Sequence, residues 1–243
     1  MENKTIITID LGNSFSKIGT FINNKLVNLK RISWTDLMTD EKIYSFLKNL
    51  HGIYSSVLSK EQNLEFSRRF PQLIEFSNEI KIPIDLNYDT PLTLGKDRIC
   101  NAIRAWTLNK NQNSLIIDIG TCIKYDLISK SSSYEGGAIS PGIKLRYKSL
   151  NDYTANLPLI DEKGEIDLIG KSTKTSIHSG VINGIKGELT HLIAQYESNF
   201  DSLTIFMTGG DEKYFDMGTK NNIFVNENLT LEGLYEIYLF NVQ

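Results

Sequence analysis

Two stretches of the chain carry the same local pattern, one near the start of each half. Thr5 to Phe21 contains Ile9-Asp10-Leu11-Gly12-Asn13-Ser14, and Ser114 to Leu127 contains Ile117-Asp118-Ile119-Gly120-Thr121-Cys122. Each begins with apolar, mostly β-branched residues, the mark of a buried strand. Each then meets an Asp, passes a Gly, shows small polar side chains and returns to an apolar run. The pattern is strand, tight turn, strand. The Gly admits an unusual backbone angle and lets a ligand come close. The turn presents amide N–H groups, and Asn13, Ser14 and Thr121 add side-chain donors, a combination that cradles phosphate oxygens. An acidic residue beside a phosphate repels it unless a cation lies between them. One such turn alone reads better as an ordinary hairpin; two copies point to a duplicated phosphate grip.

Duplicated hairpins of this kind resemble the superfamily of acetate and sugar kinases, actin and the heat-shock ATPases, in which two related domains close on ATP. That resemblance implies an α/β fold of two ribonuclease H-like (actin-like ATPase) domains, with mixed sheets flanked by helices. The polar junction Asn109 to Asn113 sets the expected boundary, giving domains 1–110 and 111–243. A third element should hold the adenosine, and the apolar strand Leu203 to Met207 with Thr208-Gly209-Gly210-Asp211 after it fits that role.

A length of 243 residues allows each domain its own core. The formal net charge of −3 gives no reason to expect a nucleic acid or an anionic membrane as partner. Cys100 and Cys122 lack paired spacing, so reduced thiols in a cytoplasmic protein are expected. Met1-Glu2-Asn3-Lys4 leads straight into a strand, so no signal peptide is expected, and no apolar run is long enough to span a bilayer.

In chain order, strands are predicted at Thr5–Asp10, Phe15–Ile22 and Lys25–Ile32, a helix over 36–49 and a strand over 52–58. Lys17 lies near the first turn; it reads either as a phosphate contact or as a solvated surface lysine. The stretch 60–81 gives no firm pattern, and Arg68 and Arg69 in it read as solvated. Tyr88-Asp89-Thr90-Pro91 is extended ahead of its proline. Gly95-Lys96-Asp97-Arg98 opens a helix carrying Ile99, Ala102, Ile103 and Trp106. Asp97 at that N-terminus serves equally as a cap or as a carboxylate offered to a cleft, with a neighbouring Arg able to grip an anion. The second half predicts strands at Ser114–Asp118, Cys122–Ser129 and Tyr134–Ile139, a helix from Lys144, a long helix over about 174–198, and a C-terminal helix through Leu231, Leu234, Tyr235 and Tyr238. His178 and His191 are isolated and read as structural or surface residues.

Seven blocks in this order resemble the type III pantothenate kinases across nearly the whole chain. They are Asp10 to Ser14, Tyr88 to Arg98, Asp118 to Thr121, Gly136-Gly137-Ala138-Ile139-Ser140-Pro141-Gly142, Gly170-Lys171-Ser172-Thr173, Thr208-Gly209-Gly210 and Asn228 to Leu234. The resemblance implies ATP-dependent phosphorylation of the terminal hydroxyl of pantothenate. It implies that Asp10, Leu11, Gly12, Asn13, Ser14, Phe15, Ser16 and Lys17 line the triphosphate, which is accompanied by Mg2+, and that Thr121 contacts ATP. Asp97 becomes the general base, and Tyr88, Gly95, Lys96, Asp97 and Arg98 bind pantothenate, with Arg98 on its carboxylate. Asp118 becomes the ligand of a monovalent cation, potassium or ammonium, on which turnover should depend. Thr173 meets pantothenate from the partner subunit of a homodimer. Thr90 and Lys96 depart from the family's usual residues beside the substrate. An alternative is a nucleotide-binding regulator linked to transcription, which has no need of a base at Asp97.

Overall fold

In a computed structural model, residues 4–12, 15–215 and 222–242 are described. The chain divides into two compact units, Met1–Leu108 with Asn228–Gln243, and Asn109–Glu227.

The first unit opens with β1 (Thr5–Leu11), β2 (Ser16–Ile22) and β3 (Lys25–Ile32), an antiparallel meander. Asn23 and Asn24 make its second turn with positive φ, a region Asn tolerates better than most residues. Helices α1 (Trp34–Thr39) and α2 (Glu41–Leu47) follow, where the sequence predicted one helix over 36–49. Asp40 makes the break. It ends α1 in an extended conformation, and its Oδ1 accepts the N–H of Lys42 at 2.8 Å and of Ile43 at 3.4 Å as the N-cap of α2. Then come β4 (His51–Ser56), α3 (Lys60–Arg69), β5 (Leu73–Glu75), the two-residue β6 (Asp85–Leu86) and α4 (Lys96–Leu108). A capping box between Ser59 and Gln62 starts α3 in the stretch that gave no firm reading. Arg69 differs from its solvated reading: its guanidinium carbon lies 4.6 Å from the centre of the Tyr44 ring.

The sheet order is β3-β2-β1-β4-β5, with β4 and β5 parallel to β1. Ile7, Ile9 and Leu11 of β1 have no exposed surface and pack with Leu37, Leu47, Phe66 and Phe70. The period-2 alternation expected of a one-faced strand is missing from β1 because both faces are covered.

The second unit holds β7 (Ser114–Ile119), β8 (Cys122–Ile128), β9 (Ser133–Pro141), α5 (Ile143–Asp152), α6 (Thr173–Asn199), β10 (Thr204–Thr208) and β11 (Ile223–Val225). Its five strands run β9-β8-β7-β10-β11, antiparallel through the meander and parallel from β7 to β10 and β11. This is the order of the first unit repeated, so the duplicated hairpins are the leading edges of a duplicated fold. Ile182, Ile185, Leu189 and Ile193 of α6 are buried against Leu115, Ile117 and Ile205. Ser172 caps α6 in a box with Thr175.

Helix α7 (Leu229–Val242) belongs to the first unit, although the predicted boundary assigned it to the second domain. It lies along α4 and against β1 and β4. Gly233 permits the close crossing: a Cβ there would fall 1.9 Å from the Cys100 carbonyl oxygen. Arg104 of α4 then ties the pair, donating to Glu232 at 2.7 Å and Glu236 at 2.6 Å. Among the described residues no helix is long and apolar enough to cross a membrane.

Candidate active site

In the first unit, Asp10 sits at the end of β1, on the sheet's central strand. Its neighbours are set by register: Lys17 opposite on β2 and Ser55 beside it on β4. The Ser55 hydroxyl donates to Asp10 Oδ1 at 2.9 Å and fixes the carboxylate. Gly12 begins the turn; a Cβ there would stand 2.7 Å from the Phe15 carbonyl oxygen. Asn13 and Ser14 lie outside the described residues. Phe15 is exposed, with the Arg31 guanidinium over its ring at 4.2 Å. Leu11 and Ser16 are buried at 0% and 1% exposure, so the turn offers their backbone and not their side chains to a ligand.

Asp97 stands in the first turn of α4, where the helix N-terminus favours negative charge. Its Oδ1 accepts the Arg98 N–H at 2.9 Å and lies over Gly95, where a Cβ would be 2.6 Å away. Gly95 is therefore the residue that leaves room for the carboxylate. Arg98 is 6% exposed, and its guanidinium carbon lies 5.9 Å from the Tyr88 ring centre. Burial pushes the Cys100 thiol well above its ordinary pKa, and the negative charges of Asp10 and Asp97 push it further. Both carboxylates thus act on the same buried thiol of this unit.

Consecutive helical side chains point about 100° apart, and the structure separates Lys96 from its two neighbours accordingly. The Lys96 ammonium donates to Asn78 Oδ1 and lies 5.0 Å from the Phe76 ring centre, at the wall of a cavity of about 410 Å³. Desolvation lowers its pKa. Asn78 and Phe76 were missed in the sequence because 60–81 gave no pattern from which to place them.

In the second unit the equivalent turn is Asp118 to Cys122. The Gly120 N–H bonds the Cys122 carbonyl at 3.0 Å, and the Gly142 N–H, at the start of α5, bonds the Thr121 carbonyl at 3.0 Å. Thr121 itself is exposed. On the other side, Thr208 pairs with Asp118 in register, and the Asp211 N–H bonds the Ile119 carbonyl at 3.0 Å. Gly209 adopts φ +107°, and a Cβ there would meet the Ile119 carbonyl oxygen at 2.2 Å, so only Gly fits this contact. Asp211 also takes an ion pair from Lys163. Hence the Asp118–Cys122 turn and the Thr208-Gly209-Gly210 loop adjoin within this unit.

Lys124 was not singled out from sequence. It faces Asp118 across β7 and β8, and its ammonium meets Asp118 Oδ2 at 2.7 Å. Thr173 opens α6 and lines a separate cavity of about 750 Å³ with Arg146, Ser176 and Ile177. His178 is buried and shares a hydrogen bond of 2.6 Å with the Tyr147 hydroxyl, a structural role.

Two copies of a five-stranded mixed sheet, each with an Asp near the tip of its central strand, make the fold of the actin-like ATPase and sugar-kinase class. Solved structures with the same fold include a conserved Baf family protein from Campylobacter jejuni, at TM-score 0.60 and 21% identity, covering 95% of this chain and 96% of that one. An inorganic polyphosphate/ATP-glucomannokinase from Arthrobacter aligns at TM-score 0.50 and 14% identity, covering 97% and 98%. The sequence profile of the type III pantothenate kinases matches residues 6–195. A type III pantothenate kinase of Christiangramia forsetii is 43% identical over 240 residues, spanning 97% of this chain and 98% of its own. One of Phocaeicola vulgatus is 38% identical over 237 residues, with 97% and 98% covered. The chain belongs to the type III pantothenate kinase family.

Proposed function

We propose that this protein transfers the γ-phosphoryl group of ATP to the terminal hydroxyl of pantothenate. The product is 4′-phosphopantothenate, and the step is the first of coenzyme A synthesis. The observation that carries the reading is Asp97: a carboxylate at a helix N-terminus, given room by Gly95 and flanked by a buried Arg98 under Tyr88, in a chain of this family.

Phosphoryl transfer asks a protein mainly to position groups and to neutralise charge. Asp97 accepts the proton of the attacking hydroxyl as its oxygen bonds to the γ-phosphorus, and the bond to the β,γ-bridging oxygen breaks to release ADP. Arg98 meets the pantothenate carboxylate; its planar fork suits that group better than a point charge. The Tyr88 ring lies within cation–π range of the Arg98 guanidinium, 5.9 Å from its carbon. The backbone of the Asp10–Lys17 turn and Thr121 contact the phosphates, and Lys17, opposite Asp10, adds positive charge.

Mg2+ usually binds through one or two carboxylates together with substrate phosphates, so it would enter with the triphosphate. Asp10, its Oδ1 fixed by Ser55, is the carboxylate at the phosphate turn that would meet it. Bound there, Mg2+ offsets charge on the transferring phosphoryl oxygens. The monovalent cation that the resemblance attaches to Asp118 fits less well, because that carboxylate already receives the Lys124 ammonium at 2.7 Å.

We also infer a homodimer in which Thr173 faces a neighbouring subunit's substrate, and a cytoplasmic location in keeping with two unpaired thiols. A pure nucleotide-binding regulator would have no use for a base at Asp97. Transfer of radiolabelled phosphate from ATP to a panel of small alcohols, pantothenate included, tests the proposal. Selective labelling of pantothenate is expected; labelling of another alcohol, or of none, would overturn it.

A further inference from the structure

The turn Asp of each unit has a Lys and a hydroxyl-bearing residue at the same two register positions. Asp10 lies between Lys17 on the antiparallel neighbour and Ser55 on the parallel one. Asp118 lies between Lys124 and Thr208 in the same two positions. The Lys124–Asp118 contact, at 2.7 Å, has the length of a charge-assisted hydrogen bond. Both side chains are largely withdrawn from water, at 18% and 14% exposure, so salt screens the pair weakly. Three residues past the exposed Thr121, an ammonium is therefore held beside the turn proposed to grip phosphate.

We propose that Lys124, anchored by Asp118, is a built-in cation that replaces a free monovalent ion at this turn, so that neither nucleotide binding nor turnover requires potassium or ammonium. This rests on the reading of the Asp118–Thr121 turn as an ATP contact.

An acidic residue beside a polyphosphate needs an intervening positive charge, and Lys124 supplies one covalently, an alkylammonium in place of a dissolved cation. A second cation at Asp118 would then face a fixed like charge at close range and would find the carboxylate already neutralised. A tethered cation also avoids the entropy loss of immobilising a free ion. Lys124 acts here as a positioning and charge-balancing residue; proton transfer stays with Asp97.

The test is calorimetric titration of a non-hydrolysable ATP analogue with Mg2+ into the full chain. It is run in tetramethylammonium chloride and in potassium chloride at equal ionic strength, with turnover of pantothenate measured in the same two salts. For the unsubstituted protein both quantities should agree within about twofold between salts. Lys124→Thr removes the charge yet suits a strand. It should bind the analogue at least about tenfold more weakly in tetramethylammonium, the loss of one charge-assisted contact, and regain affinity in potassium or ammonium. Lys124→Arg should behave like the unsubstituted chain. A rise of tenfold or more in affinity or turnover on adding potassium to the unsubstituted protein would overturn the proposal, whatever the variants do. So would a Lys124→Thr protein that is folded and indifferent to both salts. If pantothenate is phosphorylated in neither salt while the affinities follow the expected pattern, the kinase reading fails and the built-in cation stands. If no nucleotide binds in any salt, both fail.

Discussion

Replacing Asp97 by Asn tests the role of that carboxylate with little disturbance to the fold. Asn keeps an acceptor at the Oδ1 position, so the 2.9 Å bond from the Arg98 N–H survives. It also keeps the side-chain volume that Gly95 accommodates. What is lost in the folded state is a negative charge in the first turn of α4, worth roughly 0.3–1 kcal/mol against the helix dipole. The urea midpoint should therefore move by no more than about 1 kcal/mol equivalent. The effect on chemistry should be much larger. A positioned general base contributes on the order of 10²–10⁴ in rate, or roughly 3–5 kcal/mol of barrier at 1.36 kcal/mol per tenfold. Steady-state kinetics on the folded variant should show kcat reduced by such a factor, with the affinity for a non-hydrolysable ATP analogue near normal. A folded Asp97→Asn protein with kcat within twofold of the original would refute the assignment and leave Asp97 as a helix-terminal residue only.

Arg98→Lys keeps the charge but removes the planar fork; KM for pantothenate should rise at least about tenfold with KM for ATP unchanged, and two unchanged KM values would dismiss the carboxylate contact. Gly233→Ala should destabilise by about 1–3 kcal/mol despite Ala's better helix propensity, because its Cβ meets the Cys100 carbonyl at 1.9 Å; a raised urea midpoint would mean the crossing has slack. Burial alone would raise the Glu188 pKa, but hydrogen bonds from Ser140, Arg146 and Tyr125 outweigh it and hold the carboxyl below its ordinary 4.5. A lowered folded-state pKa gives stability that is present above 4.5 and lost as pH falls through the folded value. Glu188→Gln should thus be less stable than the original at pH 7, and the gap in urea midpoint should close in acid; a gap that stays constant would contradict this.

The elements that recur locally were legible in the sequence. Runs of apolar, mostly β-branched residues followed by an Asp, a Gly and small polar residues marked β1–β2 and β7–β8, and each became an antiparallel pair. The ordered motifs carried the fold and the family. The stretch 36–49 misled because Ile43, Phe46, Leu47 and Leu50 do keep helical spacing, although Leu37, six residues before Ile43, is out of phase with them; the choice of Asp40 to cap α2 depends on a backbone turn that spacing does not encode. Tertiary packing assigned α7 to the first unit: the Gly233 crossing and the Arg104 ion pairs join residues more than a hundred positions apart. The pairing of Lys124 with Asp118 was hidden for a related reason. The first turn is one residue longer, Asp10 facing Lys17 and Asp118 facing Lys124, so the two lysines fall out of step when the copies are compared by eye. A strand's sequence determines which side chains share a face. Only register determines which of them stand opposite, and register is decided by turn length and by the core that the whole sheet must cover.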